Sequence, residues 1–302
     1  MKKIRCAASV ALLFAVLGLA PRVHAAGRGE CNSLPSKILA RSVPYCVLLP
    51  PSYDTDRAKR YPVLFFLHGL GDDEQMFLHS GGINLVEDLW EDHQLGEFVI
   101  VTPAGWTTFY IDSRDGKHRY EDFFLQEFMP GIEKRYRTET GRANRGIGGL
   151  SMGGYGALHI AFQHPDLFAA VAVNSAALLE KLPKVGGLDS QLFPQLRVLA
   201  SAFGSPLDTA FWNKNDPITL AKTAKLAGLK IYFDCGYQDD YDFELGAMAL
   251  DKVLKARQIP HKFELYQGGH GWTYFAAHLP GSLEFESKAF GLAPAAAGSS
   301  SR

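Results

Sequence analysis

The feature that most constrains this chain is Gly149-Leu150-Ser151-Met152-Gly153. It lies between a short strand-like stretch at 145–149 and a small, apolar run at 152–163 that reads as a helix. A serine on so sharp a strand-to-helix turn needs a strained backbone. Side chains two positions to either side would meet neighbouring backbone, which accounts for the flanking glycines. The helix that follows points its positive N-terminal end at the hydroxyl, and Gly154 and Gly156 let it lie close to a sheet. In that context Ser151 reads as a nucleophile. Two other readings of the glycines fail. Gly146-Ile147-Gly148 opens like a dinucleotide fingerprint, but Ser151 holds its sixth position and the segment is far from the first strand. No Gly-Lys-Ser/Thr follows, so a P-loop is excluded.

The rest of the chain supplies the framework such a turn requires. Strands are predicted at 45–49, stopped by Pro50-Pro51, and at 63–67, 98–101, 170–173, 229–233 and 262–266. The run at 63–67 is continuously apolar, as in a strand buried on both faces. Helices are predicted over 120–137, with a kink at Pro130, over 152–163, and over 243–257, where Ala247, Leu250 and Leu254 form one stripe. This alternation predicts a single-domain α/β fold with a mostly parallel central sheet and helices on both faces. The segment 178–217 breaks the rhythm and reads as an insertion that either shapes a pocket or is a surface excursion.

Composition narrows the class. Hydrophobic residues are 47% and charged residues 21% of 302. That excludes collagen-like, disordered and disulfide-scaffold chains. A formal charge of −1 gives no basic surplus for nucleic acid. Residues 1–25 read as a signal peptide: Lys2, Lys3 and Arg5 precede an apolar run at 7–20, and Val23-His24-Ala25 offers a cleavage pattern. The apolar run is shorter than the roughly 20 residues of a spanning helix, so no stable membrane insertion is expected. Cleavage removes four basic residues and no acid, moving the charge from −1 to −5. Residues 26–40 read as a lead-in, 41–290 as the catalytic domain and 291–302 as a disordered tail. An exported chain, periplasmic or extracellular, would allow Cys31 and Cys46 to pair; Cys235 reads as a buried free thiol.

A serine nucleophile needs a base, and the base needs an acid to orient it. The chain order expected for this turn is serine, acid, histidine. His270 follows the last predicted strand on Gln267-Gly268-Gly269 and is the best-placed base; His159 and His164 read as packing or surface groups on the helix after Ser151. For the acid, Asp239 has a Gly-x-x-Asp placement after the preceding strand. Asp240 is the alternative, and Asp234 ends that strand and reads as a loop cap. With Asp242 these acids lack EF-hand spacing, so no metal and no cofactor is expected. Two backbone N–H groups should hold a developing oxyanion, those of Met152 and of Leu70 in His68-Gly69-Leu70-Gly71, with His68 bracing that loop.

Together, Tyr61-Pro62-Val63, His68-Gly69-Leu70, Tyr120-Glu121-Asp122-Phe123, Gly149 to Gly154, Asp234-Cys235-Gly236 with Asp239, and Gly269-His270 resemble the "putative esterase" (esterase D-like) family of α/β-hydrolases. That family includes S-formylglutathione hydrolase, feruloyl esterases and the mycolyltransferase antigens, and the match spans roughly 43–275. The resemblance implies an α/β-hydrolase fold, a Ser151–His270–Asp239 triad, and Leu70 and Met152 as oxyanion donors. The expected function is that of an exported serine carboxylic-ester hydrolase working through an acyl-enzyme, on a small-molecule ester or on acetyl or feruloyl esters of polysaccharides. Acyl transfer to a sugar or lipid alcohol is one alternative, and a non-catalytic binding protein on a hydrolase scaffold is a second. Trp106, Trp212 and Trp272 are candidate substrate-binding residues, against the simpler reading that tryptophans pack at element ends. Oligomeric state is not legible.

Overall fold

The apolar runs assemble into one eight-stranded sheet in the computed structural model, which describes residues 26–181 and 195–292. The strands are β1 (Arg28–Ser36), β2 (Arg41–Leu49), β3 (Val63–Leu67), β4 (Val99–Pro103), β5 (Arg145–Leu150), β6 (Ala170–Asn174), β7 (Lys230–Gly236) and β8 (Lys262–Tyr266). Their order is β1-β2-β4-β3-β5-β6-β7-β8. From β4 to β8 every pair is parallel, while β1–β2 and β2–β4 are antiparallel. Residues of β3, β4 and β6 are buried on both faces, as expected where helices cover both sides of a parallel sheet.

One face carries the helix Met152–Gln163 and the helix Phe243–Ala256; the other carries Gly82–Glu91 and Trp272–Ala289. Met152–Gln163 is apolar on all sides, with its residues buried from Met152 to Phe162, because it sits between the sheet and further helices instead of facing water. Strand order reverses around β3, with β4 on one side and β5 on the other. The C-terminal strand ends at such a reversal are the usual ligand position in open α/β sheets. His68-Gly69-Leu70 and Ser151 leave β3 and β5 at those ends.

The α/β class, the single domain and the parallel core agree with the sequence. Three details differ. Residues 26–40, read as a lead-in, contain β1, a mostly polar edge strand whose ladder with β2 places Cys31 opposite Cys46, and these are joined by a disulfide. The helical stretch from Tyr120 is not simply kinked at Pro130. A π turn, Phe124–Phe128, separates Tyr120–Phe123 from Met129–Arg135. Pro130 offers no N–H to the preceding turn, and the wider loop accommodates that gap. β7 runs to Gly236, beyond the predicted end at 233. In the 178–217 insertion the described residues include two helices, Gln195–Phe203 and Thr209–Asn215. The proposed signal segment 1–25, the insertion's 182–194 and the tail beyond 292 lie outside the described residues.

Candidate active site

Ser151 sits at the apex of the turn with φ +52° and ψ −116°, a conformation an L-residue adopts only under local constraint. The constraint is visible on both sides. Its N–H donates to the Asn174 carbonyl at 3.1 Å, and its own carbonyl accepts from Tyr155 at 3.0 Å and Ala177 at 2.9 Å. Close packing requires the glycines here: a Cβ on Gly153 would lie 1.9 Å from the Leu67 carbonyl oxygen, and one on Gly149 would lie 2.5 Å from it.

His270 reaches Ser151 from the loop after β8. Its Nε2 lies 2.9 Å from Ser151 Oγ, and its Nδ1 lies 2.7 Å from Asp239 Oδ2. An ionised carboxylate accepts only, so Nδ1 carries the hydrogen and Nε2 presents its lone pair to the serine hydroxyl. Asp239 is almost fully buried and is held by the Tyr241 N–H at 3.0 Å on its other oxygen. The neighbouring Asp240 accepts the His270 backbone N–H at 2.9 Å. The imidazole is walled edge-on by Tyr241, Phe243 and Phe275, with ring centroids 4.9, 5.3 and 5.3 Å away. Of the acidic alternatives, then, Asp239 meets the ring and Asp240 the backbone.

Among the described residues neither the Leu70 N–H nor the Met152 N–H donates to a protein acceptor. The loop bearing Leu70 passes close to the serine: a Cβ on Gly69 would lie 3.5 Å from Ser151 Cβ. His68 is buried, its Nε2 accepts the Gly105 N–H at 2.8 Å, and its Nδ1 lies 2.8 Å from the Gly69 carbonyl. Nδ1 therefore carries the hydrogen and donates. Burial lowers the His68 pKa, which keeps the ring neutral in this bracing role.

The three tryptophans fall in different places. Trp212 is 3% exposed and packs on Phe203 and Tyr155. It is a core residue that offers no face to a ligand, a correction to the pocket reading; its burial comes from helices distant in sequence. Trp106 is half-buried at φ +48°, with the Arg41 guanidinium 4.1 Å over its ring. Trp272 opens the helix two residues after His270 and is half-buried against the second core cluster. Sequence reasoning missed Glu121, which receives His159 at 2.8 Å and His164 at 3.0 Å. It also took Asp234 for a loop cap, whereas its carboxylate is buried among Asn174, Tyr232 and Tyr274. The i, i+2 pair Tyr232 and Asp234 on one strand face was the available signal for the second.

A family model described as "Putative esterase" matches residues 36–285. The chain belongs to this esterase family. It is a carboxylic-ester hydrolase. The esterase is 26% identical over 264 residues to an acetyl esterase of Caldicellulosiruptor saccharolyticus, covering 84% of this chain and 96% of that one. Among solved structures it is similar to a ferulic acid esterase, at 28% identity and TM-score 0.74, covering 88% of this chain and 99% of the other. It shares the fold of an S-formylglutathione hydrolase from Agrobacterium tumefaciens, at 18% identity and TM-score 0.70, over 88% of this chain and 96% of that one.

Proposed function

We propose that the esterase is an exported serine hydrolase that removes acetyl or feruloyl groups from polysaccharide esters through an acyl-enzyme. The observation that carries the mechanism is the continuous run from Ser151 Oγ to His270 Nε2 at 2.9 Å and from His270 Nδ1 to Asp239 at 2.7 Å. His270 takes the hydroxyl proton as Ser151 attacks the ester carbonyl. Asp239 holds the ring tautomer and stabilises the imidazolium, without itself being protonated. The tetrahedral oxygen is received by the Leu70 and Met152 N–H groups, each of which contributes roughly 3 kcal/mol of transition-state stabilisation. His270 then returns its proton to the leaving alcohol, and water repeats the sequence on the acyl-enzyme.

The acyl group is read from the acetyl esterase and ferulic acid esterase relatives, which align with most of this chain. Export is read from residues 1–25 and supported by the Cys31–Cys46 disulfide, a bond that persists in oxidising compartments. A panel of esters from acetyl to cinnamoyl, run on wild type and Ser151→Ala, tests the proposal. Hydrolysis of acetyl or feruloyl esters that disappears in the variant is the expected result. A wild type active only on other acyl groups overturns the substrate reading.

A further inference from the structure

Asp234 is among the buried acids that the mechanism leaves unused. It lies near the end of β7, 1% exposed, and all three of its close polar partners are hydrogen-bond donors. Oδ2 accepts the Asn174 side-chain amide at 2.6 Å and the Tyr232 hydroxyl at 2.9 Å; Oδ1 accepts the Tyr274 hydroxyl at 2.7 Å. An isolated buried carboxylate is costly, and a strand position between apolar neighbours would accept a hydrophobic side chain. The donors converge on this acid from three separate elements, β6, β7 and the C-terminal helix.

Two of those elements touch the segments that bear the reacting groups. Asn174 ends β6, and its carbonyl holds the Ser151 N–H at 3.1 Å. Its side-chain oxygen is in turn held by Ser282 at 2.9 Å. Tyr274 lies in the first turn of Trp272–Ala289, four residues after His270. Its ring lies against the histidine loop, where a Cβ on Gly268 would come within 2.9 Å of Tyr274 Cδ2. Phe275, the next residue, touches the imidazole. We propose that Asp234 is a positioning residue: its carboxylate ties the strand end that orients Ser151 to the helix that supports His270, and so sets the distance between hydroxyl and imidazole.

This inference rests on Ser151 and His270 being nucleophile and base. Asp234→Asn and Tyr274→Phe test it. The first replaces one carboxylate oxygen with an NH2 donor, leaving one acceptor oxygen for three donors, and the second removes only the link to the histidine helix. A fluorophosphonate probe counts reactive serines, so turnover of an acetyl ester can be expressed per reactive site. The expected result is a loss per site of about ten- to a hundred-fold in kcat, the scale of a small misplacement, with KM within about twofold. A scaffold role lowers the count of reactive sites and leaves the rate per site alone; that outcome in both variants overturns the proposal. If Asp234→Asn does not fold, Tyr274→Phe decides by itself. Ser151→Ala separates the two layers: wild-type turnover in that variant removes the catalytic reading and this inference with it. A dead Ser151→Ala beside unchanged rates per site in the other two removes this inference alone.

Discussion

Asp240 holds the backbone of His270, its Oδ2 accepting the His270 N–H at 2.9 Å, while the adjacent Asp239 meets the ring. Two neighbouring carboxylates thus act on one histidine through different atoms. Asp239→Asn disturbs the tautomer and is expected to lower kcat/KM by roughly 10⁴-fold. Asp240→Asn keeps an oxygen for the backbone N–H and is expected to stay within about tenfold of wild type. Steady-state kinetics on one acetyl ester compares them, and the reverse ranking would move the triad acid to Asp240.

The elbow tolerates no side chain at Gly153, since its Cβ would lie 1.9 Å from the Leu67 carbonyl oxygen. Neither strand backbone nor helix backbone can retreat without moving β3 or the nucleophile. Gly153→Ala is therefore expected to cost about 3 kcal/mol of stability. Chemical denaturation of variant and wild type measures it; a change below about 1 kcal/mol would show that the strand and helix separate easily.

Glu121 couples His159 of the nucleophile helix and His164 just past its end to the preceding segment. Burial pushes its pKa up, but the hydrogen bonds to His159 and His164 outweigh that and bring it from 4.5 down to about 2. A carboxyl depressed in the folded state contributes stability above its unfolded pKa and loses it as pH falls through the folded value. The contribution, about 3 kcal/mol, is complete above pH 4.5 and lost between there and about pH 2. Unfolding free energies of Glu121→Gln and wild type should differ at neutral pH and converge in acid. A gap that stays constant over that window would contradict the linkage.

The Cys31–Cys46 disulfide ties the edge strand β1 to β2 across a separation of 15 residues. Closing a loop of that size restricts the unfolded chain and contributes about 3 kcal/mol. Replacing both cysteines by serine should lower stability by that order without changing kcat/KM, since the bond lies at the far edge of the sheet from Ser151. Equal thermal midpoints for the two proteins would remove the disulfide from the stability account.

How much of this was legible depended on whether the signal was local. The strand–serine–helix turn, the apolar runs of β3 and β6 and the histidine loop after β8 each declare themselves within a few residues. β1 does not. Arg28–Ser36 is polar and half-exposed, and only its partner strand makes it a strand. The choice between Asp239 and Asp240 turns on the backbone of a short loop, to which composition is blind. Trp212 resembled a pocket residue because aromatic side chains serve both core and ligand sites, and its burial against Phe203 is tertiary. Asp234 has one partner two residues away, while Asn174 and Tyr274 come from elsewhere in the fold.

The central claim is that Ser151 becomes covalently acylated. Wild type mixed with a slowly released ester, quenched during turnover and analysed by intact mass and peptide mapping, tests this directly. The account predicts one acyl group per chain, on the peptide holding Ser151 and absent from Ser151→Ala, which should lose several orders of magnitude in activity. Undiminished hydrolysis by Ser151→Ala, or an acyl group mapped to another residue, would contradict it.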